Sequence, residues 1–231
     1  MDEMREETIK IFTFEELNEK IQEKVVDAFK FSEENEYFWH DENKKSLEEF
    51  EKIFPIHSTG YEYSYCGKWI NTELNIDEQV SDIENRMYNN GFNPSDYVDD
   101  IIENMSGIRL MKYMYNNYYN RISKGRYYST NGVYVDGKYT SKHRYSKVTK
   151  TIKDCNLTGY CIDMELLEPI VKCMNGEYIN TGETFKDVME RCLENWIKAC
   201  YDDYCSTYED DYVREKLMDD DKEYLEDGTE Y

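Results

Sequence analysis

The sequence has few of the residues that interrupt regular structure, with 3 Pro and 11 Gly among 231 residues. This scarcity excludes collagen-like and low-complexity proteins. No segment approaches the roughly 18 consecutive apolar residues of a membrane-spanning helix, and the acidic start MDEMREETIK lacks the pattern of a signal peptide. We therefore expect a soluble, non-exported, cytoplasmic protein that does not act at a membrane.

Motifs of the common enzyme and metal sites are also missing. The 3 His residues form no metal-binding pattern, the 7 Cys residues form no C-x-x-C pair, and no P-loop, G-x-G-x-x-G or G-x-S-x-G motif occurs. We therefore predict no enzyme activity, no catalytic residue, no metal site and no cofactor. A cation site made of carboxylates alone stays open, because acidic residues occur throughout the chain.

What the chain does contain is aromatic residues, with 23 Tyr, 9 Phe and 3 Trp. Hydrophobic residues make up only 39% of the chain, but aromatic side chains bury large areas, so we expect a folded protein. We predict one α+β domain over residues 1–231. It is mostly helical, with a small antiparallel β-sheet at about 56–76 and 126–162 and a long acidic helical region at 184–231.

Helical spacing of apolar residues predicts most of the elements. A capping box of Thr13 and Glu16 predicts the start of the first helix, which continues to Phe29. Further helices are predicted over about 32–54 with a bend near 41–43, over about 77–90, over about 93–122 with a weak point at Gly107, from about Glu165, and from Thr184 through about 221. On the last helix, Cys192 and Cys200 share a face and are expected to pack in the core.

Alternating patterns and turn residues predict the strands. Two strands over 56–76 are joined at Cys66-Gly67. The pairs Asn131-Gly132 and Asp136-Gly137 are hairpin signals that lie too close together for both to close full hairpins. Residues 157–161 are predicted to form a short strand, and Asp163 is predicted to cap the helix after it.

The charge is divided unevenly along the chain. The whole protein carries a formal net charge of −22. Residues 109–153 hold 11 basic residues and 1 acidic residue, whereas residues 201–231 hold 13 acidic and 3 basic residues. The molecule is therefore strongly polarised.

The basic stretch, residues 109–153, is interleaved with nine Tyr, and two interpretations of it are open. It binds nucleic acid, with phosphates held by basic side chains and bases stacked on tyrosines, or it pairs with acidic surface of its own fold or of a second copy in a homodimer. The basic residues chosen for either role are Arg121, Lys124, Arg126, Lys142, Arg144 and Lys147.

The acidic surface also has two interpretations. Its carboxylates serve solubility alone, or they imitate nucleic-acid phosphates and occupy the basic channel of a partner protein. The residues predicted to bind a partner are Asp202, Asp203, Glu209, Asp210, Asp211, Asp219, Asp220 and Asp221.

Three blocks of the chain resemble a loose family of mostly uncharacterised acidic proteins encoded by phages and mobile elements. They are FTFEELNEKIQEKVVDAF at 12–29, DCNLTGYCIDMELLEPI at 154–170, and the acidic end from about Trp196 to EYLEDGTEY. The resemblance covers about a third of the chain and implies a phage origin, without implying catalytic residues.

Acidic, non-enzymatic phage proteins commonly act by binding a host protein. The resemblance therefore favours an inhibitor of a host defence protein or ribonucleoprotein complex, such as CRISPR-Cas or a restriction nuclease, in the cytoplasm of the infected bacterium. Two alternatives stay open: a nucleic-acid-binding accessory protein that uses the basic stretch, and an antitoxin-like regulatory module. Direct binding of nucleic acid ranks below binding of a protein, because a net charge of −22 repels a polyanion.

Overall fold

The computed structural model describes residues 9–76, 102–126, 132–135, 138–141, 149–151 and 155–231. These residues form six α-helices and six β-strands, which confirms the predicted α+β class. In chain order the elements are α1 (Glu19–Lys30), α2 (His40–Glu51), β1 (Ile56–Ser64), β2 (Gly67–Leu74), α3 (Gly107–Ile122), β3 (Lys124–Arg126), β4 (Gly132–Val135), β5 (Lys138–Ser141), β6 (Thr149–Thr151), α4 (Asp163–Met174), α5 (Phe185–Ser206) and α6 (Asp210–Asp219).

The contacts of the chain group it into two compact units. The smaller unit contains Met1–Trp39, Ser64–Gly67 and Tyr201–Tyr231, and the larger unit contains His40–Tyr63 and Lys68–Cys200. This grouping describes packing within each unit, and the single domain over residues 1–231 stays a prediction.

In the smaller unit, α1 packs against α6 and the C-terminal segment. Val25, Val26 and Phe29 of α1 share one core with Val213 and Leu217 of α6. The C-terminal segment is attached by a short β-bridge, in which Phe12 and Tyr224 donate backbone N–H groups to each other's carbonyls at 2.9 and 2.8 Å. The two ends of the described chain therefore meet in this unit.

The start of α1 lies later than predicted. The Thr13 N–H donates to the Glu16 carboxylate at 2.9 Å, so the predicted capping box is present, but it begins a short 3-10 helix, Phe14–Glu16. The α-helix begins at Glu19, where the Asn18 side chain accepts a hydrogen bond from the Ile21 N–H at 3.2 Å. A second N-cap residue thus divides the predicted helix.

The larger unit is built on aromatic rings and the buried face of α5. Phe54 stacks on Phe50 at a centroid distance of 4.5 Å and on Tyr118 at 4.8 Å. Trp196 is fully buried and its indole N–H donates to the Asn43 carbonyl at 3.1 Å. The predicted packing role of two cysteines is confirmed, because both side chains are fully buried on α5: Cys192 and Cys200.

Other helix predictions are met in part. The predicted helix over 32–54 is restricted to α2 and has no interruption near 41–43. Gly107, with φ of +61°, is the first residue of α3, so the helix predicted over 93–122 is interrupted at its expected weak point. The helix predicted over 77–90 lies outside the described residues.

The strands lie in three two-stranded sheets instead of the single sheet predicted. The hairpin predicted at Cys66-Gly67 is confirmed, since β1 and β2 pair on either side of it. Strands β4 and β5 pair antiparallel, with Val135 opposite Lys138, on either side of the second hairpin signal. Strand β3 pairs antiparallel with β6.

The strand predicted at 157–161 is wrong, and so is the N-cap role of Asp163. Asp163 is the first residue of α4, and its buried carboxylate turns back toward the preceding loop. There it accepts hydrogen bonds from the N–H groups of Leu157, Thr158 and Gly159 at 3.0, 2.8 and 3.0 Å. These backbone donors are used by a side chain, so they are not available to a strand.

The predicted C-terminal helical region is confirmed, but the single helix expected from Thr184 through about 221 is divided into two helices, α5 and α6. The Ser206 hydroxyl donates to the Asp203 carbonyl at 2.7 Å, and the Thr207 hydroxyl donates to the Tyr204 carbonyl at 2.8 Å. Such side-chain bonds to carbonyls one turn earlier compete with the helical ladder. The break therefore occurs without a Gly or Pro to mark it.

Candidate binding surfaces

The negative charge of the protein is concentrated in the smaller unit. Its 74 residues include 25 acidic and 8 basic residues, a net charge of −17, whereas the other 157 residues have a net charge of −5. The packing of residues 9–39 with 201–231 thus brings two acidic segments of the sequence into one body.

A row of carboxylates runs along the solvent side of α6. Val213 and Leu217 are buried, and Asp211, Glu215 and Asp219 are exposed on the other side, each four residues from the next. Four residues of α-helix rise about 6 Å, while one DNA strand carries a phosphate about every 3.4 Å of its axis. The spacing between successive carboxylates of the row is therefore close to the distance between every second phosphate of a DNA strand. With the exposed Asp220 and Asp221 that follow, it forms what we call the acidic stripe: Asp211, Glu215, Asp219, Asp220 and Asp221.

Basic residues near the stripe are engaged by other groups of the smaller unit. Lys222 lies between the Glu34 and Glu230 carboxylates, which raise its pKa well above the ordinary value. The Lys216 ammonium lies 5.2 Å from the ring centroid of Phe29 and donates to the Glu34 carbonyl at 3.1 Å. Among the described residues, none forms an ion pair with the acidic stripe.

The end of the stripe is unfavourable for the stability of α6. Asp219 lies in the last turn, Asp220 is the C-cap residue and Asp221 follows it. Carboxylates at this end face the partial negative charge of the helix dipole, at a cost of about 0.3–1 kcal/mol each. Residues that break a local rule in this way are expected at functional sites.

Two other predicted acidic side chains, those of Asp210 and Asp203, serve the fold. Asp210 forms an ion pair with Lys30, and this hydrogen bond holds the pKa of the Asp210 carboxyl below its ordinary value. Asp203 accepts a hydrogen bond from the Tyr37 hydroxyl at 2.6 Å. Glu209 is the N-cap residue of α6, without a capping hydrogen bond from its side chain. Asp202 is exposed near the end of α5.

The predicted basic residues lie in the larger unit. Arg121 is exposed on the last turn of α3, and Lys124 and Arg126 lie in β3. Lys142, Arg144 and Lys147 lie outside the described residues. Two further basic residues of α3, Arg109 and Lys112, are exposed, and neither forms an ion pair within the described part of the chain. Pairing of the basic stretch with acidic surface stays a prediction.

A tyrosine pair accompanies these basic residues on α3. Tyr115 stacks on Tyr119 with a centroid distance of 4.5 Å and an interplanar angle of 15°. Tyr115 is half-exposed, and Lys112 precedes it by one helical turn. A flat aromatic surface beside a cation can stack a nucleic-acid base and hold its phosphate.

Sequence reasoning missed a set of exposed aromatic residues on the smaller unit. We call these residues the aromatic surface: Phe31, Phe38, Trp39 and Tyr65. They lie in or next to segments predicted to be helix or hairpin, and the sequence pattern did not mark them as exposed. For Phe31, Phe38 and Trp39 the signal in the sequence is the concentration of aromatic residues at 29–39, and Tyr65 lies in the tyrosine-rich segment YEYSYCGKW.

Conventional small-molecule sites are not evident in what the structure describes. A cavity of about 230 Å³ is lined by Phe29, Glu34, Lys222 and other residues, but its charged groups already pair with one another. Over the described ranges no cluster of His, Cys, Asp and Glu has the arrangement of a metal site. None of the described helices is both long and apolar enough to cross a bilayer.

Comparison with protein-family models, with curated protein sequences and with solved structures found no match to this chain.

Proposed function

We propose that this protein is a non-enzymatic inhibitor that binds the basic, nucleic-acid-binding surface of a partner protein. The observation that supports this most directly is the acidic stripe. Its five exposed carboxylates form no ion pair with the described residues, while Lys216 and Lys222 beside it are held by other groups. The smaller unit thus exposes the carboxylates of the acidic stripe to solvent, while Lys216 and Lys222 are engaged by other groups of the same unit.

A basic channel that binds nucleic acid fits this surface for a physical reason. Binding an array of negative charges releases counterions and is steered at long range, whether the charges are phosphates or carboxylates. The resemblance to phage proteins favours a host defence nuclease of the CRISPR-Cas or restriction type as the partner, and we propose the bacterial cytoplasm as the compartment of the encounter. This function needs no catalytic activity of the inhibitor, because a protein that occupies the partner's basic channel is sufficient to exclude nucleic acid from it.

The test is affinity capture of the tagged protein from nuclease-treated bacterial lysate, followed by mass spectrometry. We expect a protein partner that survives nuclease treatment. A triple variant of the stripe, Asp211→Asn, Glu215→Gln and Asp219→Asn, should weaken binding to the purified partner by about tenfold or more and reduce its salt dependence.

The matched control changes three exposed carboxylates of the larger unit, Glu165→Gln, Glu177→Gln and Glu194→Gln. It alters the net charge by the same amount and should leave binding unchanged. Asp210 is unsuitable for this test because its loss breaks the ion pair with Lys30. Equal weakening in both triple variants, or capture that disappears after nuclease treatment, would contradict the proposal.

A second candidate function is binding of single-stranded nucleic acid through α3. The stacked pair of Tyr115 and Tyr119 beside Lys112 favours it. Fluorescence anisotropy with a labelled oligothymidine tests it. Binding that weakens with salt and is lost in Lys112→Ala/Tyr115→Ala, but not in the stripe variant, would support this alternative over the first.

A further inference from the structure

The aromatic surface is unusually exposed for side chains of this size. Phe31 is 68% exposed, Phe38 is 65%, Tyr65 is 58% and Trp39 is 56%. Exposed aromatic residues grouped on one body are typical of protein interaction sites, where aromatic side chains supply much of the binding energy. Solubility alone does not explain them.

These residues project from a backbone that the smaller unit holds in place. The Asn35 side-chain amide donates to the Lys30 carbonyl at 3.1 Å and to the Thr207 carbonyl at 3.0 Å. The Tyr37 hydroxyl donates to Asp203, and the Tyr37 ring packs edge-on against Tyr204 at 5.4 Å. The segment between α1 and α2 is therefore attached to the junction of α5 and α6, so that little conformational entropy is lost on binding.

Phe31 and Tyr65 form a contact of their own at this junction. Their rings meet edge to face at 5.7 Å, and Tyr208 lies 5.9 Å from Phe31 and 5.3 Å from Tyr65. Tyr208 lies two residues before the first residue of α6, the helix that carries most of the acidic stripe. The aromatic surface and the stripe are thus parts of the same unit, joined through the start of α6.

A cation already occupies one ring of this surface. The Lys216 ammonium lies 5.8 Å from the ring centroid of Phe38, as well as 5.2 Å from that of Phe29. Attraction between a cation and the negative face of an aromatic ring stabilises contacts of this kind. Within the protein itself, the exposed Phe38 ring therefore accepts a cation.

The charge of the unit decides between occupants. A second copy of this chain would bring another body of net charge −17 against the first, which like-charge repulsion disfavours. A basic partner is attracted instead. Between the two common cations, guanidinium stacks on aromatic faces and is less strongly hydrated than ammonium, so arginine suits the exposed rings better than lysine.

We propose that the aromatic surface is the anchoring half of the partner-binding surface and takes arginine side chains of the partner, while the acidic stripe attracts the same partner at longer range. This inference rests on the proposed function and adds the chemistry of the contact. It assigns Phe38 and Trp39 to arginine recognition and the stripe to charge attraction that does not discriminate arginine from lysine.

Oligo-arginine and oligo-lysine peptides of equal length are the probes, with affinities measured by calorimetry on the full chain. The natural protein should bind oligo-arginine about 3- to 10-fold more tightly than oligo-lysine. Phe38→Ala/Trp39→Ala should abolish this preference and leave oligo-lysine binding unchanged. The stripe variant should weaken both peptides by similar factors and keep the preference.

Controls separate the two proposals. Trp69→Ala/Tyr160→Ala removes two exposed aromatic side chains of the larger unit and should keep the arginine preference. If the double variant does not fold, as judged by circular dichroism, Trp39→Ala alone replaces it. Equal affinity for both peptides, or a preference that survives in the Trp39→Ala variant, would overturn the arginine anchor. Peptide binding that is insensitive to the stripe variant would instead count against the proposed function.

Discussion

Gly228 occupies a position that only glycine can fill. Its φ is +84°, and a Cβ atom built there would lie 2.8 Å from Ile21 Cγ2 and 3.0 Å from Val25 Cγ2. The turn that contains Gly228 therefore approaches α1 closely, with the Gly228 N–H donating to the Leu225 carbonyl at 2.9 Å. The backbone conformation and the lack of a side chain are both needed there.

We expect Gly228→Ala to lower the free energy of unfolding by about 2–4 kcal/mol, through backbone strain and overpacking together. Gly182 is the matched control, because its φ of +82° is almost the same and its Cβ would meet nothing within 4 Å. Gly182→Ala should cost about 1–2 kcal/mol. Urea unfolding of both variants tests this, and equal losses would show that close packing against α1 contributes nothing.

Cys173 makes stability depend on alkaline pH. Burial raises the pKa of the Cys173 thiol to about 12 in the folded protein, above the value of an exposed thiol. A raised pKa means that the folded state favours the neutral thiol, so this contribution is complete below about pH 9 and is lost as the pH rises toward 12. The pKa of Tyr204, also raised to about 12 by burial, acts in the same direction.

We therefore expect the free energy of unfolding to fall between about pH 9 and pH 10.5, with Cys173 contributing about 2 kcal/mol of the decline. In Cys173→Ala the decline should be smaller, although the variant is less stable at neutral pH. Urea unfolding at each pH measures both. A decline of the same size in the variant would mean that the Cys173 thiol is not the titrating group.

At the scale of elements, α5 has a defined start. The Thr184 N–H and hydroxyl donate to the Asp187 carboxylate at 2.8 and 2.7 Å, and the Asp187 N–H donates to the Thr184 hydroxyl at 3.2 Å. These bonds satisfy donors that the first helical turn leaves free. They also hold the pKa of the Asp187 carboxyl below its ordinary value.

Loss of this cap in Thr184→Ala should destabilise the protein by about 1 kcal/mol. Because a lowered pKa stabilises the folded state only above the ordinary pKa, acidification from about pH 5 to pH 3 should remove part of the contribution of Asp187. Asp187→Asn should lose less stability over that range. Thermal unfolding at several pH values is the measurement, and identical acid profiles would contradict the assignment.

Elements also show where local sequence signals were insufficient. The start of α5 next to Thr184 and the pairing of β1 with β2 follow from capping residues and alternation, which act over a few residues. The carboxylate of Asp163 matches the pattern of an N-cap, yet it binds the preceding loop. The break after Ser206 depends on side-chain hydroxyl groups that donate to the carbonyl one turn earlier in the helix. The amino-acid composition of the segment does not predict these hydrogen bonds.

At the scale of the whole molecule, self-repulsion opposes the compact state. A net charge of −22 is spread unevenly, with −17 in the smaller unit. Added salt screens repulsion between exposed charges beyond about 10 Å. It also weakens exposed ion pairs such as that between Lys30 and Asp210, but these are few relative to the carboxylates.

We therefore expect the melting temperature to rise by a few degrees when NaCl is increased from about 20 mM to about 500 mM. The stripe variant, with fewer exposed carboxylates, should gain less from the same salt. Differential scanning calorimetry of both proteins measures this. A melting temperature that falls with salt would mean that ion pairs outweigh repulsion.

The sequence by itself determined the composition of this protein, its strong polarity of charge, the spacing of its apolar residues and the lack of common catalytic motifs. These properties are local, so they can be read without knowing which segments meet. Helix faces and hairpins follow from them because helices and turns form between residues close in the chain.

Only the tertiary structure decided which charges remain available. Lys30 and Asp210 are 180 residues apart in the chain, yet their contact removes Asp210 from the partner-binding set and leaves Asp211 exposed. In the same way, packing of residues 31–39 against the start of α6 left Phe38 and Trp39 in solvent. The spacing of apolar residues along a helix involves residues that are close in the chain. Burial of apolar area involves segments from the whole chain, so contacts between distant segments depend on the assembled core.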